Sequence, residues 1–127
     1  MEDNIKSPLT LVIGASPDPS RFAYLACSRL EQYGMNWLPM GIKKGDVFGK
    51  TIIDMQTRSG ISHVDTLTLY VGTRNQSEWE DYWLSLNPRR IIFNPGTENP
   101  QLARKAKAQG IEVIQGCTLV MISTGQY

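Results

Sequence analysis

The sequence has little cysteine, a single histidine, no long apolar run and almost no net charge, and each scarcity removes a class of protein. Its two cysteines, Cys27 and Cys117, lie far apart without a Cys-x-x-Cys or Cys/His cluster, so neither a zinc framework nor a disulfide scaffold is suggested. A reducing, cytoplasmic setting is the expectation. His63 is the only histidine and stands between Ser62 and Val64 in a polar stretch, where a surface role is the ordinary one. No segment reaches the ~20 apolar residues of a membrane span, and the N-terminal "MEDNIKSP" is polar and acidic, unlike a secretion signal. A net charge of +1 gives no global basis for binding nucleic acid or a membrane surface. Any anion site must be local.

What is present suits a soluble globule: 127 residues, 41% hydrophobic and 20% charged, enough for one core and short for two. The expected organisation is a polar lead-in over 1–8 and a single domain over 9–127. Leu9 to Ile13 is a short apolar run that stops at Gly14, as a strand buried on both faces does. Phe22, Leu25, Ala26, Leu30 and Tyr33 then recur at helical spacing, with Ser20 or Asp18 placed to cap the helix and Gly34 to end it. "MNWLPMGI" reads as a second strand, although Pro39 argues against full regularity. Lys43 to Asp65 reads as loops with one weak helix. "DTLTLYVGT" is a strand, and "NQSEWEDYWLSL" sets Trp79, Tyr82, Trp83 and Leu86 on one helical face. "RRIIFNPG" is a strand, "ENPQLARKAKAQG" a helix, "IEVIQG" a last strand, and "CTLVMIS" either a strand or a short closing segment. This alternation predicts an α/β fold, a Rossmann-like doubly wound and mostly parallel sheet of about five strands with helices on both faces.

In such a sheet ligands sit beyond the carboxyl ends of the strands, and the first of those ends is "VIGASPDPSRF". The helix that follows aims unpaired N–H groups and its positive dipole end into the same space, which suits a phosphate. Gly14 permits the tight turn, Ala15 and Ser16 leave the backbone approachable, Pro17 is counted with them as a candidate binding residue, and Arg21 is within reach of a second phosphate. "GASPDP" is not the dinucleotide fingerprint, because Ser16 and Pro19 occupy its second and third glycine positions, and a plain strand-to-helix junction explains it equally well. After the second strand, where NAD sites carry an acid, "PMGIKKGD" supplies Gly41, Lys43 and Lys44. Two cations there favour a nucleotide with a phosphate on its ribose, such as coenzyme A or NADP; the competing account is a solvated loop. "YVGTR" adds Val71, Gly72, Thr73 and Arg74 to the rim, and "FNPGTEN" adds Asn94, Pro95 and Gly96, with turn chemistry alone as the alternative for both.

No paired carboxylates, Ser-His-Asp set or metal-ligand cluster stands out, so neither a catalytic set nor a metal site is assigned. Cys117 would be reactive only if exposed with a lowered pKa, and a buried structural cysteine is the commoner case; Cys27 reads as packing. Trp79, Tyr82 and Trp83 read as core first, or as a homodimer or partner-protein contact if that helix is exposed.

Three blocks, "VIGASPDPSRFAY", "LPMGIKKGDVFGK" and "FNPGTENPQLARKAKAQGIEVIQGCTLVMI", together resemble the small bacterial CoA-binding proteins, whose Rossmann-like domain is similar to the CoA-binding domain of the succinyl-CoA synthetase alpha subunit. The likeness runs from Leu9 to about Ile122. It departs at Gly41 and Ile42, where the family usually carries an asparagine-proline pair. The resemblance implies that Gly14, Ala15 and Ser16 face the CoA diphosphate, Lys43 the phosphorylated ribose, and Val71 to Arg74 the adenine or pantetheine side. It also implies a non-enzymatic module for CoA or acyl-CoA, since the related synthetases take their phosphorylated histidine and ATP-grasp domain from elsewhere. Two other expectations compete with it: a small NADP-dependent oxidoreductase, and a regulatory domain that binds a partner protein and uses the crevice little.

Overall fold

A computed structural model describes residues 8–127, so the lead-in read at Met1 to Pro8 lies, apart from Pro8, outside the described residues. The elements in chain order are β1 (Leu9–Ile13), α1 (Phe22–Gln32), β2 (Asn36–Gly41), β3 (Asp46–Val47), β4 (Lys50–Thr51), β5 (Ile53–Asp54), β6 (Val64–Leu69), α2 (Glu80–Ser85), β7 (Arg90–Phe93), α3 (Pro100–Ala108), β8 (Glu112–Gln115) and α4 (Thr118–Ser123). A six-stranded parallel sheet has the order β5-β2-β1-β6-β7-β8. The strand beyond the expected five is β5, which pairs only through Ile53 and Asp54 with Met40 and Gly41, too short a run to show a period. From β1 the chain winds through α1 to β2, and from β6 it winds the other way through α2 and α3. That reversal opens a crevice at the carboxyl ends of β1 and β6.

The apolar run of β1 is continuous because both faces are covered. Leu11 and Ile13 pack with Leu67, Leu69, Trp83 and Leu102 on the α2/α3 side, while Val12 packs with Ala23, Cys27, Leu30 and Ile122 on the α1/α4 side. Trp79, Tyr82 and Trp83 are buried, so they are core. Burying each such ring contributes roughly 2–3 kcal/mol.

Helix α1 is rotated from its expected face. Ala23, Ala26, Cys27 and Leu30 are buried, whereas Phe22 and Tyr33 are 70% and 53% exposed. The small stripe faces the sheet because it lets the helix approach closely, and the bulky stripe beside it is displaced outward. Neither Ser20 nor Asp18 caps α1: Arg21 is the N-cap residue without a side-chain bond, and the Asp18 carboxylate instead accepts from Ser20 N–H and Oγ at 2.9 and 2.8 Å. Gly34 ends the helix with φ +70°.

Pro39 sits inside β2, opposite Val12. The Met40 carbonyl points at β1, accepting from Gly14, so strand alternation turns Pro39 toward β5, whose pairing begins only at Met40. No ladder bond is lost. "CTLVMIS" is helix α4, decided by a tertiary tie that periodicity does not show: Thr118 N–H donates to Asn94 Oδ1 at 2.8 Å and its hydroxyl meets that of Thr68 at 2.7 Å. The Lys43–Asp65 stretch holds a β3–β4 hairpin, β5 and one 3-10 turn at Met55–Thr57. Among the described residues no helix is long and apolar enough to cross a membrane.

Candidate functional site

A cavity of about 740 Å³ opens where β1, β2, β6 and β7 end. Its floor is the turn after β1. Gly14 adopts φ +93°, and an added Cβ would lie 2.8 Å from the Tyr70 carbonyl oxygen, so only glycine fits. Gly41 supports the turn from the neighbouring strand, where an added Cβ would lie 3.2 Å from the Ala15 oxygen. The N–H groups of Gly14 and Ala15 are both taken by the Met40 carbonyl, at 2.8 and 3.0 Å. These two residues shape the turn and have no amide to offer a ligand.

The free donors lie one step further on. Phe22 and Ala23 line the cavity at the start of α1, and among the described residues their N–H groups have no partner. Ser16 also lines it; its Oγ accepts from Asp18 N–H at 3.1 Å, which leaves its hydroxyl hydrogen to donate. Arg21 and Lys43 stand exposed at the rim. The hydrogen bonds from Ser20 hold the Asp18 carboxyl below its usual range, and the fields of Arg21 and Lys43 add to this. The cavity thus has a cationic, donor-rich end beside α1.

Of the candidates from the sequence, Gly14, Ala15, Ser16, Arg21, Gly41, Lys43, Val71, Gly72, Pro95 and Gly96 line this cavity. Pro17, Lys44, Thr73, Arg74 and Asn94 do not. Pro17 lies against Gly45, with its ring 3.2 Å from where a Cβ there would be. Thr73 donates to the Glu98 carbonyl at 2.6 Å, and Lys44 and Arg74 are simply exposed. Asn94 is buried with its amide saturated, donating to Thr68 Oγ1 and the Leu69 carbonyl and accepting from Thr118 N–H, each at 2.8 Å. The expectation that Asn94 offers polar atoms to a ligand is therefore corrected; it holds β6, β7 and α4 together.

Sequence reasoning missed Met55, Gln56, Asn75, Glu78 and Trp79, which form the wall opposite α1. Met55 and Gln56 follow β5, whose run is too short to show a period, and Trp79 reads as core first, with a partner contact as the alternative. His63 is exposed at the amino end of β6, in a separate hollow of about 610 Å³ with Asp65 and Arg89, at the opposite ends of the strands from the cavity. Cys27 is fully buried, and desolvation pushes its thiol up to about 12, so it is inert packing as read. Cys117 is half-buried at the N-cap of α4.

The family model described as "CoA binding domain" matches residues 9–123. The chain belongs to this CoA-binding domain family. A crystal structure of an uncharacterised protein is 49% identical to this CoA-binding domain, with TM-score 0.91, covering 96% of this chain and 99% of that one. A redesigned-for-binding version of the PH1109 protein shares its fold at 19% identity and TM-score 0.82, over 95% of this chain and 84% of that one. A Candidatus Korarchaeum cryptofilum dinucleotide-forming acetyl-coenzyme A synthetase, solved with phosphate and ADP, has the same fold within it: TM-score 0.71 at 19% identity, over 85% of this chain and 25% of that one. No curated protein matches the CoA-binding domain in sequence.

Proposed function

We propose that the crevice binds coenzyme A or an acyl-CoA, with the diphosphate held at the start of α1 and the phosphorylated ribose beside Lys43, and that the chain acts as a binding module without chemistry of its own. The observation that carries this reading is the pair of unpartnered N–H groups at Phe22 and Ala23, opening into a cavity rimmed by Arg21 and Lys43. A helix start with free donors and two cations is complementary to a diphosphate. Family membership directs the choice among nucleotides toward CoA. Nothing comparable favours NADP, and the aromatic helix face that a partner protein would use is buried within this chain.

Calorimetric titration with CoA, dephospho-CoA, NADP and NAD tests the proposal. CoA is expected to bind most tightly, and dephospho-CoA about tenfold more weakly, the loss of one charge-assisted contact. Equal affinity for CoA and dephospho-CoA would remove Lys43 from the ribose phosphate. Binding of NADP but not CoA would overturn the reading.

A further inference from the structure

Pairing between β6 and β7 ends at Leu69 and Phe93, yet the loops that follow form two facing walls of the crevice, Val71–Gly72 on one side and Pro95–Thr97 on the other. Backbone hydrogen bonds no longer join them. Asn94 carries the connection one step, its amide reaching the Leu69 carbonyl. Beyond it, Gln76 takes over. This residue is fully buried, and its Nε2 donates to the Val71 and Thr97 carbonyls, both at 2.8 Å, so a single amide spans both walls. Gln76 Oε1 accepts from Asn99 Nδ2 at 2.9 Å. Asn99 in turn caps α3 through Leu102 N–H and donates to buried Glu80, which Lys105 meets at 3.0 Å. The amide is thereby fixed in orientation. Nearer the surface the Thr73 hydroxyl makes a second tie to the same loop, at Glu98.

We propose that Gln76 and Thr73 are positioning residues, a side-chain bridge that continues the β6–β7 pairing past the end of the ladder and fixes the separation of the crevice walls. Neither side chain needs to touch the ligand. Walls held in place before binding reduce the ordering cost of association, so the bridge sets affinity as well as shape. That second half rests on the CoA reading above; the first half does not.

The test uses Thr73→Val, at an exposed position, and Gln76→Met, which keeps a long unbranched side chain without the amide. Backbone ¹⁵N relaxation dispersion of the ligand-free protein should be flat at Val71, Gly72, Gly96 and Thr97 in the wild type and show microsecond-to-millisecond exchange there in both variants. CoA affinity should fall about fivefold in Thr73→Val, the scale of one lost hydrogen bond, and further in Gln76→Met, whose side chain gives up three. Should Gln76→Met fail to fold, Thr73→Val decides alone. Flat profiles at these amides in a folded variant would overturn the bridge. Exchange without loss of CoA affinity would overturn its role in binding. A wild type that binds no CoA would sink the ligand reading, and the relaxation measurement would still decide the bridge.

Discussion

Two glycine-to-alanine substitutions at the crevice floor should separate folding from binding. In Gly14→Ala the new Cβ meets backbone on a strand end, 2.8 Å from the Tyr70 oxygen and 2.9 Å from its carbon. Neither side can yield freely, because Tyr70 N–H is bonded to Ile13 and Gly14 N–H to Met40, each at 2.8 Å. Holding a non-glycine residue at φ +93° costs about 1–3 kcal/mol, and overpacking adds about 1–3 kcal/mol. The sum, roughly 2–6 kcal/mol, is a large part of a typical stability of about 5–15 kcal/mol. Gly41→Ala is milder: no positive φ is involved, and its Cβ lies 3.2 and 3.3 Å from Ala15 oxygen and nitrogen. Relief there requires the Ala15 backbone to move by a few tenths of an ångström, at about 1 kcal/mol. Ser16 moves with it. Thermal unfolding with and without CoA reads both effects. Gly14→Ala should melt roughly 8–20 °C below the wild type. Gly41→Ala should melt only a few degrees lower but lose most of the stabilisation by CoA, which at a hundredfold excess over Kd is about 2.7 kcal/mol for an intact site. A Gly14→Ala protein melting within about 2 °C of the wild type, or a Gly41→Ala protein with the full CoA response, would refute this account of the floor.

Three further outcomes are expected. Lys43→Ala should weaken CoA about tenfold while leaving dephospho-CoA affinity unchanged by calorimetry; equal losses for both would place Lys43 elsewhere. Asp65 is held below its usual carboxylate range, chiefly by the Arg89 hydrogen bonds at 2.9 and 3.1 Å, so its contribution is present above pH ~4 and lost as pH falls through the lower folded-state value. Asp65→Asn should therefore lower stability by about 0.5–1 kcal/mol at pH 7 in urea titrations, with the difference vanishing in acid; a difference that persists below pH ~2 would contradict this. In a Cys117→Ser background, Cys27 should resist an aromatic disulfide reagent at pH 8 until denaturant is added, because burial pushes its thiol up to about 12; labelling of the native protein, read by mass, would show that the helix opens.

Much of the fold was legible because both faces of the sheet are covered, which leaves mostly apolar runs such as Leu9–Ile13 and Ile91 to Phe93 bounded by turns. What escaped was decided by distant groups. Helix α1 offers two adjacent stripes, and only the closeness of the sheet selects Ala23, Ala26 and Cys27 over Phe22 and Tyr33. Strand β5 is stabilised by its edge pairing with Met40 and Gly41 and has no pattern of its own. Residues at strand ends that line the cavity were anticipated because topology alone places them there, as with Gly14, Gly41 and Gly72. Asn94 and Thr73 were misjudged because a polar side chain in a turn looks the same whether it faces a ligand or bonds a neighbouring strand.

The departure of "GASPDP" from the dinucleotide fingerprint now has a physical account. That fingerprint asks three things of its glycines: a tight turn, a close backbone approach to the pyrophosphate, and close packing of helix on strand. Here Gly14 alone makes the turn, with its amide and that of Ala15 spent on Met40. Close packing comes from the Ala23, Ala26 and Cys27 stripe inside α1, so the third glycine position can hold Pro19 without cost to the helix. The turn is supported from the adjacent strand, where Gly41 lets β2 lie against Ala15. The donors at the cavity then begin at Ser16 and continue at Phe22 and Ala23. On this reading the tasks of one motif are distributed over β1, α1 and β2, and a search confined to the turn finds only the first of them.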